Sequence, residues 1–67
     1  MEILLNNRKE TIDSSTLTLA ELIAIKNFTF KLLVTKINGQ LIKKDMRADT
    51  IVREGDEVLI LHMISGG

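Results

Sequence analysis

The stretch Lys31-Leu32-Leu33-Val34-Thr35-Lys36-Ile37-Asn38-Gly39-Gln40-Leu41-Ile42 decides the fold. From Lys31 to Ile37 it is rich in branched apolar side chains, which suit a pleated, half-buried strand. Asn38-Gly39 is the strongest short hairpin signal, because a tight primed turn needs positive φ at both central residues. Gln40 to Ile42 is then the return strand. On the N-terminal side, Met1-Glu2-Ile3-Leu4-Leu5 reads as a buried strand. Asn6-Asn7-Arg8 supplies turn chemistry, and Lys9 to Ile12 forms a second strand, so the chain opens on another hairpin. Asp13-Ser14-Ser15-Thr16 is a polar break. Thr18-Leu19-Ala20-Glu21 matches a capping box, in which the Thr hydroxyl and Glu carboxylate each satisfy an orphan amide. A short helix is expected from there to Lys26 or Asn27, with Leu19, Leu22, Ile23 and the stem of Lys26 forming one stripe.

On the C-terminal side, Lys43 to Thr50 is polar and irregular, with a single helical turn at Lys44-Asp45-Met46. Arg53-Glu54-Gly55-Asp56 is a tight turn whose glycine is needed for positive φ. Glu57 to Met63 is the last strand. The first and last strands are apolar on both faces, as central strands are: Ile3 and Leu5 against Leu4, Val58 and Ile60 against Leu59 and Leu61. One helix covers only one face of such a sheet. The opposite face is therefore left with exposed apolar side chains, and patches of that kind mark partner surfaces. The alternation fixes the two sets on the last strand without saying which set meets the helix.

Size and charge narrow the function. Sixty-seven residues make one domain, and with no cysteine the core rests on Ile, Leu, Val and Met burial. Nine basic and nine acidic side chains cancel, removing the positive field on which non-specific nucleic-acid binding relies. Phe28 and Phe30 are the only aromatics and offer no base-stacking platform. No apolar run approaches the roughly 20 residues that span a bilayer. The start lacks the basic residues of a secretion signal, so a soluble cytoplasmic protein without membrane or nucleic-acid partners is expected. His62 is the single histidine; without cysteine or carboxylate neighbours in sequence it reads as neither ligand nor base. Asp13, Asp45, Asp49, Glu54 and Asp56 fall in turns and read as solvated. No metal site is expected. Lys43, Lys44 and Arg47 form a basic cluster, interrupted by Asp45 and Asp49, that reads as a solvated face. Asn38-Gly39 reads as turn geometry alone, without chemistry.

The order strand, strand, helix, strand, strand, strand is that of the ubiquitin-like β-grasp: an α+β fold with a mixed sheet of four to five strands and one main helix on one face. From end to end the chain resembles the ThiS/MoaD family of sulfur carriers, and the ThiS type in particular. The matching pieces are Ile3-Leu4-Leu5-Asn6, Thr18-Leu19-Ala20-Glu21-Leu22-Ile23, Ile37-Asn38-Gly39-Gln40-Leu41-Ile42, Gly55-Asp56-Glu57-Val58 and the ending Ile64-Ser65-Gly66-Gly67. The length favours ThiS over MoaD. The chain departs from the family at Lys43-Lys44-Asp45-Met46, where relatives often carry Pro or Arg.

The resemblance implies a carrier rather than an enzyme. It acts through a flexible tail, Ile64, Ser65, Gly66 and Gly67, with sulfur attached at the carboxylate of Gly67. An adenylating enzyme of the ThiF type, using ATP and Mg²⁺, would activate that carboxylate, and a sulfur donor protein would convert it to a thiocarboxylate. A thiazole synthase of the ThiG type would accept the sulfur on the route to thiamin. The carrier itself binds no cofactor and supplies no catalytic residue. Fully extended, the run from His62 to Gly67 spans about 17 Å, enough to enter another protein's active site. Terminal glycines leave the carbonyl carbon open to attack. The resemblance also places Leu59, Leu61 and Met63 outward as the partner-docking surface. Two alternatives stay open: a MoaD-like carrier serving molybdopterin, and a ubiquitin-like binding module that acts only through its sheet face.

Overall fold

The computed structural model describes residues 1–26, 28 and 33–62. β1 (Glu2–Leu5) and β2 (Arg8–Thr11) form the first hairpin, turned by Asn6 and Asn7 at φ 51° and 67°. A two-residue strand, β3 (Leu17–Thr18), leads into α1 (Leu19–Ile25). β4 (Leu33–Ile37) and β5 (Gln40–Ile42) form the second hairpin about Asn38 and Gly39, at φ 50° and 82°. A 3-10 turn at Lys44–Met46 follows as expected, then β6 (Ile51–Val52), a turn through Gly55 at φ 83°, and β7 (Glu57–His62). The expected strand start at Lys31-Leu32, the helix end at Asn27 and the strand end at Met63 lie outside the described residues.

The main sheet runs β2-β1-β7-β4-β5. β1 and β7 pair in parallel and the other neighbours antiparallel, which gives the mixed five-stranded β-grasp sheet. The doubly apolar β7 takes the central place and β1 the one beside it, so both are paired on two sides. Leu17 and Thr18 pair with Val52 and Ile51 in a separate two-stranded ribbon. Neither ribbon strand was legible in sequence, because two-residue strands carry no periodicity.

α1 has seven residues, too few to persist alone, so packing and caps must hold it. The capping box forms as predicted: Thr18 Oγ1 accepts from the Glu21 N–H at 3.1 Å and Glu21 Oε1 accepts from the Thr18 N–H at 2.8 Å. Two further orphan donors, the amides of Leu19 and Ala20, reach the carbonyls of Thr50 and Arg47 at 2.8 and 3.1 Å. At the other end Lys26 Nζ meets Glu10 Oε2 on β2 at 2.9 Å. Leu19 and Leu22 are fully buried, each contributing about 1.5–3 kcal/mol of transfer free energy. They pack into a core with Ile3, Leu5, Ile12, Leu17, Ile37, Val52, Val58 and Ile60.

Arg47 corrects the reading of a solvated basic cluster. Its Nη2 donates to the Leu33 carbonyl at 2.8 Å and its Nε to Thr35 Oγ1 at 3.1 Å. Thr35 is fully buried, and its hydroxyl donates in turn to the Ile42 carbonyl at 2.7 Å. The guanidinium thus fastens the irregular segment after β5 to the inner face of β4.

Candidate functional site: the open sheet face and the end of the last strand

On β7, Val58 and Ile60 are each 1% exposed whereas Leu61 is 48% exposed, so the inward set is Val58 and Ile60. Leu59 and Leu61 lie on the face away from α1. Register extends that face: Val34 of β4 lies opposite Leu61 and Lys36 opposite Leu59, and Leu41 of β5 lies opposite Lys36. On the other side, Leu4 of β1 borders a small hollow with Asn7, Gly39, Glu57 and Leu59. The result is an apolar strip, Leu4, Leu59, Leu61 and Val34, with Leu41 beyond it at 56% exposed. Lys36 and Glu57 punctuate the strip, and Lys9 lies opposite Leu4. Met63 and the predicted tail Ile64, Ser65, Gly66 and Gly67 lie outside the described residues.

The approach to that tail is held from both sides. β1 ends at Leu5, paired with Val58, and the Asn6 N–H still reaches the Val58 carbonyl at 2.9 Å. Beyond that point no strand among the described residues flanks this edge of β7. The Asn6 side chain takes over: its Oδ1 accepts from the Ile60 N–H at 2.8 Å and its Nδ2 donates to the Ile60 carbonyl at 3.1 Å. A side-chain amide carries the same donor and acceptor as a peptide group, so Asn6 adds one rung to the ladder. On the other edge β4 pairs as far as Leu33 opposite His62. The His62 ring lies 5.8 Å from that of Phe28, tilted by 59°. Sequence reading identified Asn6 only as a turn former and missed this role; its signal was an Asn, rather than Gly, at a positive-φ position directly after a strand.

A second surface was not anticipated. An open groove of about 600 Å³ follows the free edge of β5, walled by Leu41, Met46 and Ile51, all exposed, with Lys43 and Arg53 at its rim. It is assembled from the irregular segment and the short ribbon, whose placement only the tertiary structure supplies.

No helix among the described residues is long and apolar enough to cross a membrane. No group of three or more His, Cys, Asp or Glu side chains among them is placed to hold a metal ion. The described surface thus presents an exposed apolar sheet face and the end of β7 at His62.

Comparison with known proteins gives a consistent picture. The model of the ThiS family matches residues 2–67. No curated protein matches. The crystal structure of a thiamine biosynthesis protein (ThiS) from Geobacter metallireducens superposes with a TM-score of 0.87 at 28% identity, covering 100% of both chains. A solution structure of a thiamine biosynthesis protein from the same organism gives a TM-score of 0.78 at 28% identity, covering 100% of this chain and 88% of that one.

Proposed function

Because the chain belongs to the ThiS family, we propose that it is a sulfur carrier for thiamin biosynthesis, loaded and unloaded at the carboxylate of Gly67. The observation that carries this reading is the extent of the family match, which runs to residue 67 and so includes Gly66-Gly67.

A carboxylate is a poor electrophile and must be activated. A Gly67 carboxylate oxygen attacks the α-phosphorus of ATP in a partner's active site, pyrophosphate leaves, and an acyl-adenylate forms. Hydrosulfide then attacks the carbonyl carbon, AMP leaves, and the thiocarboxylate forms; where a donor protein delivers the sulfur as a persulfide, the resulting acyl disulfide is cleaved by a thiol, which supplies two electrons and ends in a disulfide with the donor. The carrier is a substrate that turns over, with ATP and Mg²⁺ bound by the adenylating enzyme. A thiazole synthase accepts the sulfur and returns the carboxylate. Leu59 and Leu61, with Met63 continuing their alternation in sequence, form the docking surface. Asn6 holds Ile60 two residues before the described end of β7 at His62.

Incubation with ATP, Mg²⁺, a sulfide source and a ThiF-type adenylating enzyme tests the proposal. Exchange of one oxygen for sulfur raises the mass by about 16 Da, and fragmentation must place the gain on Gly67, since methionine oxidation gives a similar shift. An unmodified Gly67 in a chain still competent to dock would refute the carrier. The exposed strip supports a second reading, a binding module that acts through the sheet alone. Removal of Gly66 and Gly67 separates the two, since only the module survives it.

A further inference from the structure

Asn38 does more than make a turn. Its Oδ1 accepts from the Glu57 N–H at 2.9 Å and its Nδ2 donates to Asp56 Oδ1 at 3.1 Å. Its own N–H donates to the Glu57 carbonyl at 2.7 Å. Asp56 Oδ2 in turn accepts from the Arg53 N–H at 2.9 Å. One carboxamide therefore fastens the β4–β5 turn to the turn that precedes β7.

The same carboxamide is chemically vulnerable. In an Asn-Gly pair the glycine leaves the following backbone nitrogen unhindered. That nitrogen can attack the Asn Cγ, forming a five-membered succinimide as the Cγ–N bond breaks and ammonia leaves. Water then opens the ring to aspartate or isoaspartate, with no oxidant or cofactor involved. Attack requires the Asn38 side chain to swing away from Asp56 and Glu57 towards the Gly39 nitrogen. In the folded chain both ends of the amide are engaged elsewhere. We propose that Asn38 is a modification site gated by this clamp: closed, the chain is protected; opened, it deamidates irreversibly.

The product cannot close the clamp again. The new carboxylate has no proton to donate to Asp56 and sets two negative charges where an amide met one. Isoaspartate would in addition lengthen the turn backbone. Each opening thus risks a permanent mark, beside the hollow that Gly39, Glu57 and Leu59 line. This inference does not depend on the carrier reading.

Two net hydrogen bonds must break before attack, which lowers the reactive population roughly thirtyfold. Deamidation at position 38 is followed by peptide mapping over days at mildly alkaline pH. The folded protein is compared with the same chain in urea and with folded Asp56→Ala. Folded wild type is expected to react at least about tenfold more slowly than the unfolded chain, with Asp56→Ala moving towards the unfolded rate. Equal rates in folded and unfolded protein would overturn the proposal. So would an Asp56→Ala variant that is folded by circular dichroism yet as protected as wild type. If Asp56→Ala does not fold, the product side decides. Asn38→Asp should lower the melting temperature, and combination with Asp56→Asn, which restores one amide and one carboxylate, should recover most of the loss. No recovery would refute the clamp.

Discussion

Replacing Asn6 by Ala tests whether a side chain serves as the last rung of the β1–β7 ladder. The substitution removes both bonds to Ile60, at 2.8 and 3.1 Å. It leaves one N–H and one C=O on the central strand without their partners. A buried unsatisfied group costs about 1–3 kcal/mol; these two are part-buried, so the low end applies, about 1 kcal/mol each. Asn6 also sits at φ 51°, where Ala costs about 1 kcal/mol more. The sum, about 3 kcal/mol, is a large share of the roughly 5 kcal/mol available to a marginal small domain. At 4–8 °C per kcal/mol the melting temperature should fall by about 15 °C. Two controls divide the effect. Asn6→Gly removes the bonds without the backbone strain and should lose about 2 kcal/mol. Asn7→Ala, at φ 67°, tests the backbone term alone and should lose about 1 kcal/mol. Urea unfolding of the three variants supplies the measurement. If Asn6→Ala is no worse than Asn7→Ala, the bonds to Ile60 contribute nothing and the rung does not exist.

Four further outcomes are expected. Thr18→Ala, which removes the hydroxyl that accepts from Glu21, should cost about 1 kcal/mol in urea unfolding. Leu22→Ala, emptying a fully buried site, should cost about 2–5 kcal/mol and leave the chain partly unfolded at 37 °C. Leu61→Asp, on the open face, should change stability by less than about 1 kcal/mol. It should nevertheless weaken binding to the adenylating enzyme at least about tenfold by calorimetry; unchanged binding would move the docking surface elsewhere. Addition of one Ala after Gly67 should abolish ATP-dependent sulfur loading in the mass assay while leaving the melting curve unchanged.

Much of the fold was legible because local chemistry and global arrangement agree. Thr18 and Glu21 specify a helix start whatever lies around them, and Asn38-Gly39 and Gly55 specify turns through φ alone. The double apolarity of Ile3-Leu4-Leu5 and of Val58 through Leu61 placed those strands inside the sheet before any partner was known. What escaped is held by contacts distant in sequence. The pairing of Leu17 with Val52 needs the whole helix and second hairpin between them to be in place. Arg47 looked like one more solvated cation because only the folded chain brings the Leu33 carbonyl and Thr35 hydroxyl to it. At Asn6 and Asn38 the turn geometry was readable, but the second use of each carboxamide was not, since Ile60 and Asp56 are remote in sequence. For the site, alternation defined the pair Leu59 and Leu61, and burial of Val58 and Ile60 then fixed which way it faces.

The distribution of these contacts separates stability from the proposed chemistry. Helix, ribbon and inward strand positions share one core, and the polar fastenings at Asn6, Thr35–Arg47 and Asn38–Asp56 secure the segments around it. The outward strip contributes little to that core: Leu61 is half exposed and its cross-strand neighbour Val34 is only part-buried. A sheet face left apolar in so small a domain spends solubility without gaining stability, which is intelligible if a partner covers it for part of each cycle. Asn6 lies where the two sets meet. It holds Ile60, the last fully buried residue of β7, and so fixes the strand directly before Leu61 and His62, which pair with Val34 and Leu33. A carrier whose reactive carboxylate must reach into another protein needs that root to be rigid while the tip stays free of side chains, and the sequence from Ile60 to Gly67 is ordered in that way, from branched apolar residues to glycine.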